Sequence, residues 1–326
     1  MLKRSRPGVD AAIEPSHGVT RDGQPLSYNR SPSPDLAPWI ARLYATVVDA
    51  PDDYSLQCGL FNDTAVIRVQ LKGDWSAETA DGPMQHLRKA LIFGPQNRLM
   101  PVGVKGGFIS LGISLRPGAC FALKGARLET FIDRLVPIDE VGMSERSMLS
   151  RLDDNAHPEE WLRVLEDTIR IHAERVNFKM PDPITSRFEA LAFADPTAGI
   201  GDFAKECGID QRRLERLVRR DFGMPPKQVL RRARALDMAS HLRGVADHDE
   251  ADELALRYYD QSHLIREFVE LFGMSPSQFI ERPQPILTLA LESRQARRLE
   301  ALTRLAPGAP RPWEVAELPE FSRKAS

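Results

Sequence analysis

The chain has 326 residues, a formal net charge of −2, 42% hydrophobic residues and 28% charged residues. This composition allows two globular domains and gives no whole-chain sign of nucleic-acid binding. The three cysteines are scattered and predict no disulfide framework. No apolar run reaches the roughly 18 residues that a membrane-spanning helix needs, and no apolar segment of the signal-peptide kind follows the basic N-terminus. We therefore expect a cytoplasmic protein with no membrane partner.

The N-terminal part begins with residues 1–38, which are rich in Pro, Ser, Gly and charge and predict a disordered arm. From Trp39 onward the apolar residues alternate with a period of two, most clearly in residues 64–71 and 108–116, while residues 90–93 form a short apolar run. Short strands with Gly and Pro between them are typical of a small antiparallel β-barrel or sandwich. We therefore predict an α+β protein whose first domain, residues 39–180, is a barrel followed by helices.

The period then changes to about 3.6, which predicts a helix from about Pro158 to Phe178. Its apolar stripe includes Trp161, Leu165 and Ile169, and it could pack on its own barrel or meet the same helix of a second copy. A Pro-bearing stretch at residues 180–183 marks the predicted domain boundary. Residues 184–283 are helical in pattern, and residues 284–326 are expected to hold one more helix and a disordered tail.

Residues 184–283 contain the same pattern twice, fifty residues apart. Each copy has an aspartate, Asp210 or Asp260, that can cap a helix, and each ends in a Phe-Gly-Met-x-Pro sequence at residues 222–226 or 272–276. A short helix precedes each copy. The pattern predicts two helix-turn-helix units in tandem, a motif that places its second helix in the major groove of DNA.

The second helix of the first unit carries five arginines, and an arginine in the major groove can bond two ways to guanine or neutralise a phosphate. The alternative is a solvated helix face. The candidate DNA-binding residues of this unit are Gln211, Arg212, Arg213, Glu215, Arg216, Arg219 and Arg220.

The second unit differs from the first in charge. Residues 202–243 hold 11 basic and 6 acidic residues, a net charge of about +5, whereas residues 244–282 hold 3 basic and 9 acidic residues, a net charge of about −6. The acidic surplus opposes approach to phosphates, so we expect the first unit to dominate DNA contact. The candidate residues of the second unit are Gln261, Ser262, His263, Ile265 and Arg266, with Glu267 and Glu270 on the same outward face.

These residues resemble the AraC/XylS family of bacterial transcription regulators. The resemblance covers about residues 184–283 and rests on GIDQRRLER at 208–216, DQSHLIREF at 260–268 and FGMSPSQF at 272–279. A looser match, SLRPGA at 114–119 and DRLVPID at 133–139, is similar to the cupin-like sensor domain of such regulators. The family has Gly in the second turn, where this chain has Arg257 or Tyr258.

The resemblance implies an activator or repressor with double-stranded DNA as its partner. It places base contacts on Arg212, Glu215 and Arg216 in the first unit, and in the second on four residues: Gln261, Ser262, Ile265 and Arg266. RNA polymerase, a small-molecule effector and a second copy of the chain remain open as further partners, and no cofactor is implied.

Two other classes of function compete with this interpretation. The acidic second unit favours a protein–protein interaction module with weakened DNA binding. A cupin-like barrel also suggests a metal enzyme, but His86 is the only one of the seven histidines in the barrel region, and no His-x-His pair exists. We therefore expect no metal site and no enzymatic activity.

Overall fold

The computed structural model describes residues 6–124, 126–247, 262–306 and 309–314. Within these ranges an antiparallel sheet of nine strands is followed by helices, so the predicted α+β class is confirmed. The strands are β1 (Glu14–Pro15), β2 (Tyr28–Arg30), β3 (Ile40–Asp49), β4 (Ser55–Leu60), β5 (Val66–Thr79), β6 (Gly82–His86), β7 (Lys89–Phe93), β8 (Met100–Leu115) and β9 (Leu135–Pro137).

The sheet is open, so the prediction of a closed barrel was wrong in this respect. Its main strand order is β1-β3-β8-β5-β7-β9, with β2 on β3, β4 on β8 and β6 on β5. In the described residues the end strand β1 pairs only with β3, and the end strand β9 pairs only with β7. Register shifts around Lys72 in β5 interrupt its ladder with β8, as bulges do where a strand bends. Alternation of residue types predicts strands, but it does not say whether the two edges of a sheet meet.

The apolar face of the sheet is covered by the helices that follow it: α1 (Ala119–Lys124), α2 (Glu145–Leu149) and α3 (Pro158–Val176). Trp161, Leu165 and Ile169 of α3 are buried in one cluster with Ile67 and Leu111 of the sheet. The helix lies where the sequence predicted it, and its stripe is used for packing on its own sheet.

The second face of the sheet is also buried, although the alternation gives it polar residues such as Thr46, Gln70 and Ser110. It is covered by the helix Pro285–Ala301, whose Ile286 belongs to the same cluster as Tyr44 and Trp75. This burial explains why β5 and β8 are inaccessible on both faces along most of their length.

Residues 6–38, predicted to belong to a disordered arm, are ordered. Strands β1 and β2 pair with β3, Ile13, Leu26 and Leu36 are buried, and the amide of Gly8 donates to the carbonyl of Ile280 at 2.7 Å. The apolar residues of this segment follow no period, yet Ile13, Leu26 and Leu36 each fill a place in the core. Trp313, which lies in the predicted disordered tail, is also fully buried.

The C-terminal half is helical. Its helices are α4 (Pro183–Ala194), α5 (Ile200–Glu206), α6 (Gln211–Phe222), α7 (Pro226–Leu242), α8 (Ser262–Phe272), α9 (Pro276–Glu281) and α10 (Pro285–Ala301). None of the helices in the described ranges is long and apolar enough to cross a membrane.

Candidate nucleic-acid interface

The first helix-turn-helix unit consists of α5 and α6 and the turn between them. Gly208 turns the chain with a φ of 66°, a left-handed conformation that glycine adopts without steric cost. Asp210 then caps α6, because its Oδ1 accepts the amide of Arg213 at 2.8 Å. Gly223, with a φ of 80°, ends the helix. The predicted start and end of this helix are confirmed.

Helix α6 is held by one face. Leu214, Val218 and Phe222 are buried, and the rings of Phe222 and Phe203 pack against Phe188 of α4 with centroids 5.4 Å and 5.5 Å away. This aromatic cluster fixes the angle between α5 and α6, so the opposite face of α6 is presented as a rigid surface.

That opposite face is polar and basic. Gln211, Arg212, Arg213, Arg216 and Arg219 are exposed. Arg219 Nη2 donates to Glu215 Oε1 at 3.1 Å, one turn away. Arg212, Arg213 and Arg216 have no ion pair in the part of the chain that the structure describes. The structure therefore brings six of the seven candidate residues of this unit, all except Arg220, together on one surface.

Arg220 is the exception, since the structure places it away from this surface. Its Nε donates to Asp221 Oδ1 at 2.6 Å, and its guanidinium lies 4.3 Å from the centre of the Phe121 ring in α1. Asp221 is buried and also accepts the hydroxyl of Thr185 at 2.6 Å. The hydrogen bonds to Asp221 raise the pKa of Arg220. Arg220 thus joins α6 to α1, which a helical-face argument could not show because the partner is 99 residues earlier.

The second unit is described in part. Helix α8 is held by a cluster of aromatic rings from Phe268, Phe272 and Phe279. The predicted supporting helix around Leu254, the turn with Arg257 and Tyr258, and Gln261 lie outside the described residues. Ser262 and His263 are in α8, but the structure does not describe their side chains.

The exposed face of α8 has fewer charges than the sequence predicted. Ile265, Arg266, Val269 and Glu270 are exposed, with Ile265 at 40% and Val269 at 41%. Glu267, predicted to face outward, is buried. The prediction for Glu267 was wrong because two arginines on α7, Arg231 and Arg234, form ion pairs with this carboxylate.

Helix α7 joins the two units through ion pairs. Arg234 Nη2 donates to Glu267 Oε1 at 3.1 Å, Arg231 Nε lies 3.3 Å from the same oxygen, and Arg231 Nη1 donates to Glu270 Oε1 at 3.0 Å. Part of the acidic surplus of the second unit is therefore neutralised by arginines of the preceding helix. A charge count for each unit alone overlooks this pairing.

A third arginine of α7 contacts the sheet domain. Arg232 is buried and donates to the carbonyl oxygens of Asp63, at 2.6 Å, and Gln96, at 3.1 Å. Burial lowers the pKa of Arg232 to about 10, so it remains charged at neutral pH. The sequence showed only that Arg232 is basic, and its contact with the loops of Asp63 and Gln96 depends on the tertiary fold.

The described residues contain no group of three or more His, Cys, Asp or Glu side chains that could hold a metal ion. His86 is buried, and its Nε2 is hydrogen-bonded to Gln70 Oε1. Its surroundings are those of a packed core residue.

Comparison with known proteins matches residues 203–282 to a family model described as a helix-turn-helix domain. No curated protein matches the chain. Two similar solved structures are of ToxT from Vibrio cholerae. The chain is 8% identical to ToxT of strain O395, with 86% of this chain and 99% of that chain covered and a TM-score of 0.41. It is 10% identical to unsaturated fatty acid-bound wild-type ToxT of strain SCE256, with 73% and 94% covered and a TM-score of 0.40.

A third similar structure is the AraC-like transcriptional activator CuxR, with 17% identity, 69% of this chain and 84% of that chain covered, and a TM-score of 0.28. The family match lies inside the region where the sequence resembles AraC/XylS regulators. Residues 203–282 of this chain are therefore a helix-turn-helix domain.

Proposed function

We propose that the chain regulates transcription by binding specific DNA sequences and that the first helix-turn-helix unit makes the dominant contact. The observation that carries this proposal is the exposed face of α6, where Arg212, Arg213 and Arg216 have no ion pair among the described residues. Guanidinium groups held in this way can bond bidentately to guanine or bind phosphate without first leaving an internal partner.

Arg219 fits a phosphate contact. Its ion pair with Glu215 is exposed on both sides, and such pairs contribute about 1 kcal/mol or less. Exchange of this partner for a DNA phosphate costs little, and the counterions released from DNA favour the exchange. Glu215 would then be free to accept a hydrogen bond from cytosine N4.

The second unit is proposed to make an accessory contact through Ile265 and Arg266. An aliphatic side chain on a groove-facing helix can contact a thymine methyl group. Two nearby carboxylates, Glu267 and Glu270, are held by Arg231 and Arg234, which reduces their repulsion of the DNA backbone.

The proposal is tested by the affinity of the full chain for its best genomic site. Arg216→Ala removes an exposed guanidinium that has no ion pair in the described ranges, and it leaves the core untouched. We expect a loss of about 1–3 kcal/mol in specific binding, measured by titration of labelled duplex at fixed salt.

Arg163→Ala is the matched control, since it removes an exposed arginine from α3 in the N-terminal half. It should leave the affinity unchanged. If Arg216→Ala binds the specific site as tightly as the control, α6 does not read the major groove.

A second candidate function is a protein-binding role for the second unit. The observation that favours it is the exposed apolar pair Ile265 and Val269, one turn apart on α8. Ile265→Ser/Val269→Ser distinguishes the two roles. A weaker affinity for the specific site places α8 on DNA, whereas an unchanged affinity and footprint leave this face for a protein partner.

The N-terminal half is proposed to be a regulatory or assembly domain. Its support is direct contact with the C-terminal half, which includes Arg220 on Phe121 and Arg232 on the loop of Asp63. A ligand bound in the N-terminal half could alter the position of α6 and α7 through these contacts.

A further inference from the structure

Arg68 on β5 is a buried cation in the N-terminal half of the chain. Its side chain is 6% exposed, and within the described part of the chain it has neither an ion pair nor a hydrogen bond. Its Nε is buried without a partner. The guanidinium lies 5.5 Å from the ring centre of Tyr44 and 5.1 Å from that of Phe93. Contacts with aromatic rings return much less free energy than the burial of a guanidinium costs.

The position of Arg68 is fixed by the register of the sheet. Tyr44 on β3 and Arg68 on β5 both lie opposite Gly112 on the central strand β8. A Cβ atom at Gly112 would come within 1.9 Å of the Tyr44 ring. The glycine thus lets the Tyr44 ring lie across β8 beside Arg68, and the two polar ends lie under α10.

A small cavity lies at this place between the sheet and α10, with room for about two water molecules. Its lining includes Tyr44, Asn62, Arg68 and Arg297. Each of these residues has a buried group without a hydrogen-bond partner: Tyr44 Oη, Asn62 Nδ2, Arg68 Nε and Arg297 Nε. All four groups can donate, so the cavity presents donors that lack an acceptor.

The carboxylates nearby do not supply that acceptor. Asp63 Oδ2 is shared by Arg294 Nε at 3.0 Å and Arg297 Nη2 at 2.7 Å. Asp237 Oδ1 accepts from Arg294 Nη1 at 2.6 Å. Glu189 Oε1 lies 3.7 Å from Arg297 Nε, too far for a hydrogen bond. Asp63 and Asp237 are thus already shared among the arginines of α10, and Glu189 Oε1 faces Arg297 at ion-pair distance without a hydrogen bond.

We propose that this cavity binds the oxoanion group, a carboxylate or a phosphate, of a small ligand, with Arg68, Tyr44, Asn62 and Arg297 as its donors. One planar or tetrahedral anion would supply acceptors to all four groups and offset the charge of Arg68. A second small cavity, lined by Trp75, Phe108 and Leu289 among others, also borders Arg68 and Tyr44, and it has room for about one water molecule.

The site also has a route to the DNA-binding half. Arg294 and Arg297 lie on α10, and Arg294 is paired with Asp237 of α7, the helix between the two helix-turn-helix units. An anion at Arg297 would compete with Asp63 and Glu189 for this guanidinium. This regulatory consequence rests on the proposed function, whereas the binding site itself does not.

The test is thermal unfolding of the full chain without DNA. Sodium acetate and sodium phosphate are titrated to about 50 mM against sodium chloride at equal ionic strength. We expect Tm to rise by at least about 2 °C with one of the two probes relative to chloride. A rise with acetate alone identifies a carboxylate site, and a rise with phosphate alone identifies a phosphate site.

Arg68→Met keeps the apolar stem and removes the charge, and Arg163→Met is its exposed control. Arg68→Met should lose the rise in Tm and, in chloride, should melt at or above the temperature of the wild-type chain, because an uncompensated buried charge is gone. Arg163→Met should keep the rise. No rise with either probe, a rise that survives in Arg68→Met, or a lower Tm of Arg68→Met in chloride would overturn the proposal. Since no DNA is present, failure here leaves the DNA-binding proposal intact.

Discussion

At the scale of single residues, the charge of one carboxylate, Asp63, is set by the arginines around it at the junction of the two halves. Asp63, in the loop before β5, is 18% exposed and is surrounded by Arg297, Arg294 and Arg232. Burial acts to raise the pKa of its carboxyl group, but the three guanidiniums outweigh that effect and lower the pKa to about 2. The ionised form of Asp63 therefore stabilises the fold.

Asp63→Asn should lower the free energy of unfolding at pH 7 by on the order of 2 kcal/mol. A lowered pKa gives stability that is present above the unfolded value of 3.8 and is lost as the pH falls toward about 2. The difference between the wild type and Asp63→Asn should thus narrow from pH 4 downward, as measured by urea unfolding.

Asp154→Asn is the control, because this carboxylate is half exposed in a surface pair with Arg88. It should change stability by less than about 1 kcal/mol. A difference for Asp63→Asn that stays constant from pH 7 to pH 3 would show that the ionised carboxylate is not the source of the stability.

Gly112 gives a second prediction at this scale. Gly112→Ala should destabilise the fold by about 1–3 kcal/mol, because its methyl group overlaps the Tyr44 ring. Adding Tyr44→Leu should recover part of the loss, so the two changes are not additive. Gly201→Ala in α5, where a Cβ meets nothing within 4 Å, should cost nothing. Equal unfolding curves for Gly112→Ala and Gly201→Ala would contradict the overlap.

Some residue roles follow from the sequence and others do not. The exposure of Arg212, Arg213 and Arg216 follows from the helical period of α6 and its cap at Asp210. The burial of Glu267 does not, since it depends on two arginines 33 and 36 residues earlier in the chain. The sequence also did not show that Arg68 lacks a partner among the residues that the structure describes, because strand alternation places Arg68 on a face that solvent would normally cover.

At the scale of elements, α6 has two basic faces with different partners. Arg219→Ala should lower the slope of log K against log salt for DNA binding by about one, as expected for one lost phosphate contact. Arg220→Ala should leave the slope unchanged, because Asp221 and Phe121 hold this side chain. Titrations at several salt concentrations measure both slopes. A larger change for Arg220→Ala would assign the phosphate contact to that residue instead.

The elements themselves were predicted to different degrees. Helices with a cap and a stripe, such as α3 and α6, were found near their predicted bounds, since their signals are local. The order of residues 6–38 was not predicted, because Ile13, Leu26 and Leu36 have no period and their burial depends on distant partners. The open sheet was missed for a related reason: pairing of its edges is a property of the whole sheet.

At the scale of the whole molecule, α10 connects the two halves. It covers the polar face of the sheet through Ile286, packs against α7 and α8 through Leu287 and Leu291, and joins Asp63 to Asp237 through Arg294. These contacts bury charge as well as apolar surface. A change in the sheet therefore has a direct physical path to α7, the helix between the two helix-turn-helix units.

The central claim is that this chain binds specific DNA through α6, and genomic footprinting of the tagged full-length chain tests it most directly. The wild type and the Arg163→Ala control should protect the same discrete set of sites, and Arg212→Ala/Arg216→Ala should lose protection at those sites while it remains folded. Sites that persist unchanged in the double variant, or a wild type that protects no discrete site, would contradict the claim.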